Sequence, residues 1–142
     1  MSFLLDTNVI SEIRRGRDEN VRAWIEAVQD GDLYLSVLTL GEIRKGIELL
    51  RVRDPAQAEV FANWLGELHT RFAERIVPID ARVAEEWGGL NAAATRNSSD
   101  SLIAATARIH RLTVVTRNTS DFDGCGVPLL NPWQLHARES SQ

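Results

Sequence analysis

The sequence FLLDTN at residues 3–8 contains a short apolar run that ends at an acidic residue and continues into residues that favour the start of a helix. The same order of apolar run and helical pattern recurs, with further apolar runs at residues 33–37, 76–77, 112–115 and 127–130. Short buried strands that alternate with longer helices are typical of βαβ units. We therefore expect an α/β fold, a three-layer α/β/α sandwich with a central, mainly parallel sheet.

Helical periodicity marks the segments between these strands. Three apolar stripes have the spacing of one helix face, and their members are Val21, Trp24, Ile25 and Val28; Phe61, Leu65, Leu68 and Phe72; and Val83, Trp87, Leu90 and Ala94. The segment 102–107 is apolar on nearly all sides, which predicts a central helix packed closely against the sheet. The length of 142 residues is that of one domain, so we expect a single domain over residues 1–135 and a C-terminal tail over residues 136–142.

The composition excludes several classes of protein. Hydrophobic residues make up 44% of the chain and charged residues 25%, which are ordinary values for a globular domain. Neither a secretory signal nor a membrane-spanning run is expected. The single cysteine, Cys125, has no partner for an internal disulfide, which is typical of the reducing cytoplasm where we expect the protein to be located. The net charge of −4 argues against binding of nucleic acid through a bulk positive charge, so any such contact must be local.

Four acidic residues fall at comparable ends of the predicted elements. Asp6 follows the first strand and Asp121 the fourth, at the edge of a parallel sheet where ligand crevices form. Glu42 and Asp100 lie near predicted helix starts. Each also has a purely structural explanation: Asp6 suits an N-cap and Asp121 a turn. Thr39 and Glu42 match a capping box, and Asp100 suits the positive end of a helix dipole. A common pocket explains all four positions at once.

Such a pocket requires a cation. Two carboxylates about 4 Å apart repel each other by roughly 4 kcal/mol at an effective dielectric of 20, so four of them must take up protons or bind a metal ion. Oxygen ligands without cysteine or histidine favour a hard ion such as Mg²⁺ or Mn²⁺. A bound ion of this kind lowers the pKa of a water molecule and orients a phosphate group, which is the chemistry of phosphoryl transfer.

Four sequence motifs resemble a known family. They are LLDTNVISE at residues 4–12, TLGEIRKG at residues 39–46, DSLIAATA at residues 100–107 and VVTRNTSDF at residues 114–122. Together they are similar to the PIN-domain toxins of the VapC and FitB group, and the similarity extends over almost the whole chain. Any one motif would be weak, but four in this order at these separations are highly specific.

The resemblance implies a site and its partners. It implies a catalytic centre of Asp6, Glu42, Asp100 and Asp121, with Asp6, Asp100 and Asp121 as metal ligands. It implies supporting roles for Thr7, Thr116, Asn118 and Asp123. The implied activity is that of a Mg²⁺-dependent endoribonuclease, with Mn²⁺ as a substitute, that acts as the toxin of a type II toxin–antitoxin system. The implied partners are an RNA substrate, a second copy of the chain in a homodimer, and a VapB-like antitoxin in a hetero-oligomer. No interaction with a membrane is expected.

Two other functions remain open from the residues alone. A haloacid-dehalogenase-like phosphatase also begins with a strand that ends in Asp, but this chain has Asn8 where that family usually has a second Asp. A non-catalytic PIN-fold module could use the acidic pocket only to receive a basic partner segment, although the full set of four acids argues against lost catalysis.

The helices near the four acids carry two further features. Gly41 and Gly46 predict that the helix after the second strand packs closely against its neighbours. Apolar residues of the early helices could line either the core or a groove for the partner, and they are Val9, Ile10, Ile13, Ile47 and Leu50.

Overall fold

The computed structural model describes residues 1–94 and 96–134 and contains five short strands. They are β1 (Phe3–Leu5), β2 (Leu33–Ser36), β3 (Ile76–Val77), β4 (Thr113–Val115) and β5 (Leu129–Leu130). The strands pair in parallel in the order β3-β2-β1-β4-β5, so that β1 lies in the middle of the sheet. All five predicted strands and their parallel arrangement are confirmed.

Six α-helices connect and cover the strands. They are α1 (Thr7–Arg15), α2 (Glu19–Ala27), α3 (Val37–Arg51), α4 (Pro55–Arg71), α5 (Ala81–Ala93) and α6 (Ser98–His110). A 3₁₀ turn, Thr119–Phe122, follows β4. Within the described ranges, none of the helices has the length and apolar character needed to cross a membrane.

The side chains of the central strand alternate between two cores, which is what creates three layers. Phe3 and Leu5 pack on one side of the sheet with residues of α1, α3 and α4. Leu4 points to the other side and packs against Ile103 and Ala104 of α6. The three-layer α/β/α sandwich is therefore confirmed.

Helix α6 lies closest to the sheet, as the apolar segment 102–107 predicts. Ile103, Ala104, Ala105, Thr106 and Ala107 are all buried. Small side chains on the sheet-facing side allow the helix axis to approach the strands, while α5 packs on its other side. The start of α6 is thereby held rigidly at the carboxyl edge of the sheet, which is the edge that bears the acids.

Helix α3 begins earlier than the capping-box pattern predicts. Ser36 is its N-cap and accepts a hydrogen bond from the backbone N–H of Leu38 at 3.0 Å. The predicted cap, Thr39, is already inside the helix and is fully buried. The capping-box interpretation of Thr39 and Glu42 is therefore wrong, because the serine that ends β2 satisfies the first N–H groups instead. Glu42 is consequently in the second turn of α3.

The structure corrects one further expectation about the helices and decides between the two alternatives for Val9 and Ile10. A Cβ atom built on Gly41 or Gly46 would meet no atom within 4 Å, so these glycines do not serve close helix packing. Val9 and Ile10 belong to the core, with exposures of 0% and 2%, and cannot form a partner surface. The predicted domain boundary at residue 135 and the predicted tail 136–142 lie outside the described residues.

Candidate active site

The four predicted acids lie at the carboxyl edge of the sheet, at the point where the chain order changes direction. The chain moves from β1 to β2 and β3 on one side of the sheet, whereas β4 and β5 lie on the other side. Leu5 of β1 pairs with Val115 of β4, so the next residues, Asp6 and Thr116, leave the sheet side by side. Such a switch point is where open α/β sheets place their ligands.

Asp6 is held on both carboxylate oxygens. Its Oδ1 accepts the backbone N–H of Thr7 at 2.8 Å, which makes Asp6 the N-cap of α1. Its Oδ2 accepts the hydroxyl of Thr116 at 2.9 Å. The N-cap explanation and the site explanation of Asp6 are thus compatible, since the bonds that cap the helix also fix the direction of the carboxylate.

Thr7 connects Asp6 to Glu42. While its N–H binds Asp6, its hydroxyl donates to Glu42 Oε1 at 2.9 Å across 35 positions of the sequence. Helix α3 places Glu42 opposite the start of α1. One threonine therefore contacts two acidic side chains and limits where each of them can lie.

Asp100 and Asp121 complete the group of four, which we call the acidic centre. Asp100 is in the first turn of α6, where Asn97 caps the helix by accepting the backbone N–H groups of Ser99 and Asp100. Asp121 lies in the 3₁₀ turn that follows β4.

The pKa of Asp100 is raised by its burial and by the charges of the other acids in the acidic centre. Burial is the largest cause of its rise, and the charges of Asp6, Asp121 and Glu42 add to it, raising the pKa of Asp100 to about 6. Each of the other three acids is therefore close enough to act on Asp100 electrostatically. Such crowding of like charges is found at functional sites more often than elsewhere.

The pKa of Asp6 is also raised, with burial as the main cause and the charge of Asp121 as a smaller one. The hydrogen bonds from Thr116 and Thr7 act in the opposite direction, because they favour the charged form. Burial makes the Asp6 carboxylate costly to ionise, and its two hydrogen bonds offset part of that cost.

The remaining predicted supporting residues differ in how closely they approach the acids. Asn118 contributes its backbone N–H, which donates to Thr116 Oγ1 at 3.1 Å. Asp123 is exposed, and among the described residues its carboxylate makes no hydrogen bond or ion pair. The structure therefore places Asn118 in direct contact with the Asp6–Thr116 pair and leaves Asp123 at the periphery.

Asn8 is a residue that the sequence reasoning missed. Its side-chain N–H₂ contacts Thr116 Oγ1 at 3.4 Å and Asp6 Oδ2 at 3.5 Å. Its Oδ1 accepts the backbone N–H of Arg117 at 3.3 Å. Asn8 thus ties α1 to the loop after β4. The sequence feature that could have identified Asn8 is its position in the first turn of the helix that Asp6 caps, two residues after the acid.

The donor set fits a hard divalent cation that keeps part of its water. The acidic centre offers carboxylate and hydroxyl oxygens, and its mutual repulsion would fall on cation binding. Across the described parts of the chain, no three Asp, Glu, His or Cys side chains are grouped tightly enough to enclose a metal ion by themselves. Mg²⁺ does not need such a cage, because it usually binds through one or two carboxylates, water molecules and substrate phosphates.

Two clefts open on either side of Glu42. The first, which we call the apolar groove, has a volume of about 470 Å³ and lies between α1, α3 and α4, with Ile47, Leu50, Phe61 and Trp64 among its lining residues. The second, which we call the lysine cleft, has a volume of about 490 Å³ and is lined by Glu42, Gly41, Lys45 and Ser99, among others. Glu42 of the acidic centre is therefore reached from both clefts.

Comparisons with known proteins agree with this geometry. The PIN domain family matches residues 3–124. A relative named VapC ribonuclease Y4jK, from Sinorhizobium fredii, is 38% identical over 141 residues, which cover 93% of this chain and 98% of the relative. The crystal structure of FitAcB from Neisseria gonorrhoeae superposes with a TM-score of 0.85 at 38% identity and covers 94% of this chain and 99% of that one. A toxin-antitoxin complex from Klebsiella pneumoniae superposes with a TM-score of 0.66 at 28% identity, over 92% and 98% of the two chains. The chain therefore belongs to the PIN domain family, and its resemblance to the VapC and FitB group is confirmed.

Proposed function

We propose that this protein is a Mg²⁺-dependent endoribonuclease that acts in the cytoplasm as the toxin of a type II toxin–antitoxin system. The observation that carries the proposal is the acidic centre, in which burial and then the charges of the other three acids raise the pKa of Asp100 to about 6. A group of acids that repel one another is suited to a cation and to the phosphate that the cation would bring. The names of the ribonuclease and toxin-antitoxin relatives support the same activity.

Asp6, Asp100 and Asp121 are the proposed metal ligands, with Mn²⁺ as a substitute for Mg²⁺. When bound, the ion would polarise the phosphate and lower the pKa of the attacking water. The protein keeps Asp6 oriented through Thr7 and Thr116, so that little side-chain freedom is lost when the ligand set closes. Asp100 must be deprotonated to serve as a ligand, which couples ion binding to release of its proton.

Glu42 is the proposed general base. Its Oε1 is occupied by the hydroxyl of Thr7, whereas Oε2 accepts no hydrogen bond from the described residues. The free oxygen can accept a proton from a water molecule that attacks the phosphate. Attack by water rather than by the ribose hydroxyl leaves a 5′-phosphate on one product and a 3′-hydroxyl on the other.

The proposed antitoxin is a VapB-like protein that blocks the acidic centre with an arginine. A guanidinium group between Asp6 and Asp100 would form bidentate hydrogen bonds and compete with the metal ion. The apolar groove begins at Glu42 and continues to Phe61 and Trp64, so it can hold the apolar part of the same segment. We propose a toxin–antitoxin hetero-oligomer built on a homodimer of this chain.

The alternatives gain no support from the site. In a phosphatase of the haloacid-dehalogenase kind, the residue two positions after Asp6 would act as an acid, but here Asn8 binds Asp6 and Thr116 and helps to orient them. A purely binding role for the pocket would not require the threonine bonds that fix Asp6 and Glu42 separately.

The test of this proposal is cleavage of single-stranded RNA by the purified, antitoxin-free protein. Unpaired bases are accessible to specific recognition, so single strands and loops are the suitable substrates. We expect cleavage with Mg²⁺ or Mn²⁺, none in excess EDTA, and products with 5′-phosphate and 3′-hydroxyl ends. Undiminished cleavage in EDTA, or products that end in a cyclic phosphate, would contradict the mechanism.

Inhibition by a partner peptide provides a separate test of the proposed antitoxin. A peptide with one arginine and its arginine-to-alanine counterpart are compared at low and high Mg²⁺. We expect only the arginine peptide to inhibit strongly, and its inhibition to weaken as Mg²⁺ rises. Equal inhibition under all four conditions would show that the acidic centre is not its receptor.

A further inference from the structure

Lys45 is an exposed cation at the edge of the acidic centre, and the proposed mechanism gives it no role. It is the chain's only lysine, and it lines the lysine cleft together with Glu42 and Ser99. Among the described residues it forms no ion pair. Its neighbour Arg44 pairs with Glu48 at 3.3 Å. A lysine without such a partner keeps its full charge available for a ligand.

The same cleft contains a glycine whose presence the fold does not explain. Gly41 is inside α3, where glycine favours the helix less than alanine does because its unfolded backbone has more freedom. A Cβ atom at this position would meet nothing within 4 Å, so no neighbouring part of the described chain requires a glycine here. The absence of a side chain leaves the helix backbone open to close approach by another molecule.

A cation beside the acidic centre would assist the approach of a polyanion, in addition to the proposed metal ion. The net charge is −4, and the acidic centre concentrates four carboxylates at one edge of the sheet. An RNA backbone that approaches this edge is repelled unless a positive group lies on its path. Lys45 follows Glu42 by three residues on α3, which puts the two side chains on neighbouring parts of the helix surface.

We propose that the lysine cleft is the path of the RNA strand, and that Lys45 binds a backbone phosphate next to the one that is cut. Gly41 then lets the strand pass close to α3. This inference rests on the proposed ribonuclease function and adds to it a route for the substrate. RNA and the proposed antitoxin segment then occupy different clefts that share only Glu42 and Gly46 among their lining residues.

The experiment measures binding of a fluorescent single-stranded RNA of mixed sequence by anisotropy, in an Asp6→Asn background so that cleavage does not interfere. We expect Lys45→Gln to weaken binding by about five- to tenfold and to reduce the slope of log affinity against log salt by about 0.7. Lys45→Arg should restore most of the affinity. Arg44→Gln removes the same charge one residue away and should leave the affinity nearly unchanged.

A second variant separates RNA contact from fold stability. Gly41→Ala should raise the melting temperature, because alanine favours the helix and has room for its side chain. It should nevertheless weaken RNA binding, since the methyl group enters the proposed path. A stabilised variant with lower affinity cannot be explained by damage to the fold.

Three outcomes would overturn the inference. The first is equal loss of affinity in Lys45→Gln and Arg44→Gln, and the second is unchanged affinity in both Lys45→Gln and Gly41→Ala. The third is a change of oligomeric state in Lys45→Gln that accounts for the lost binding, which would assign the cleft to contact with a second copy of the chain. The ribonuclease proposal fails separately, through absence of metal-dependent cleavage by the unaltered protein.

Discussion

The two edges of the sheet use charge in opposite ways. At the carboxyl edge, the acids lie together, and burial and mutual repulsion raise the pKa of Asp100 to about 6. At the amino edge, acids are matched with bases: Asp30 before β2 binds Arg71 at 2.8 Å, and this hydrogen bond lowers the pKa of Asp30. Among the described residues, this fold pairs acids with arginines at the amino edge and leaves the acidic centre without an ion-paired base.

The amino edge also shows how arginine stabilises loops. Arg75 donates to the backbone carbonyls of Asp30, Leu33 and Arg71, and it stacks on Phe72. Arg108 pairs with Glu86 and donates to the carbonyl of Cys125. Within the described ranges, no arginine forms an ion pair with any of the four acids of the acidic centre, although Arg82 lies 3.9 Å from Asp80 after β3. The stabilising arginine contacts lie at the amino edge, and the proposed catalytic acids lie at the carboxyl edge.

The largest expected effect is a difference in activity between matched carboxylates at the two edges. Asp6→Asn should reduce RNA cleavage by at least about a hundredfold, because it removes a proposed metal ligand from the buried centre. Asp30→Asn removes the same charge at the amino edge and should leave cleavage nearly unchanged, with a loss of less than about 1 kcal/mol in unfolding free energy. Cleavage rates and urea unfolding of both variants decide the matter. Similar rates in both would reduce Asp6 to a helix cap.

The second expected effect is a loss of stability without a loss of activity. Arg75→Ala should lower the free energy of unfolding by about 2–3 kcal/mol, since it removes the donor for three carbonyl groups. Cleavage per folded molecule should be unchanged, because Arg75 is at the amino edge. Chemical unfolding measures the free energy of unfolding, and active-site titration gives the cleavage rate per folded molecule. A variant that is stable but inactive would contradict the separation of the two edges.

Thr7 tests whether orientation of the acids matters as well as their presence. Thr7→Val keeps the backbone N–H that binds Asp6 but removes the hydroxyl that binds Glu42. We expect about a tenfold loss in kcat with little change in KM, which is typical for a misplaced general base. Thr7→Ser keeps the hydroxyl and serves as the control. Equal activity of the valine and serine variants would remove Thr7 from the proposed mechanism.

The smallest effect concerns the pH dependence of stability in the metal-free protein. Asp100 has a higher pKa in the folded chain than in the unfolded chain, so the folded state binds its proton more tightly. Its contribution therefore favours folding at low pH and is lost as the pH rises from about 4 to about 6. Above pH 6, Asp100→Asn should stabilise the protein by about 1 kcal/mol after allowance for solvent screening.

Unfolding of Asp100→Asn and of the unaltered protein between pH 4 and pH 8 measures this difference. The gain should shrink as the pH falls through 6, because the unaltered Asp100 then takes up a proton. Addition of Mg²⁺ should stabilise the unaltered protein more than the variant. A constant difference across the pH range would mean that repulsion in the acidic centre does not act through Asp100.

Much of this site was predictable because it depends on strand ends. Asp6 and Asp121 follow β1 and β4, and a parallel sheet brings such positions to one edge regardless of the loops between them. The start of α3 was not predictable from the capping-box pattern, because Ser36 and Thr39 are both good caps and strand pairing decides between them. The bonds of Asn8 to Thr116 depend on the register of strands that are distant in sequence.

The central position of β1 has a consequence for synthesis on the ribosome. Strand β1 precedes its partner β4 in the chain, and the hydroxyl that fixes Asp6 lies 110 residues after that acid. At synthesis rates of about 5–20 residues per second, the emerging chain spends roughly 6–20 seconds without its middle strand paired on both sides. Fragments released early lack Asp121 and Thr116 altogether. The acidic centre therefore cannot be complete until the segment that follows β4 has been synthesised.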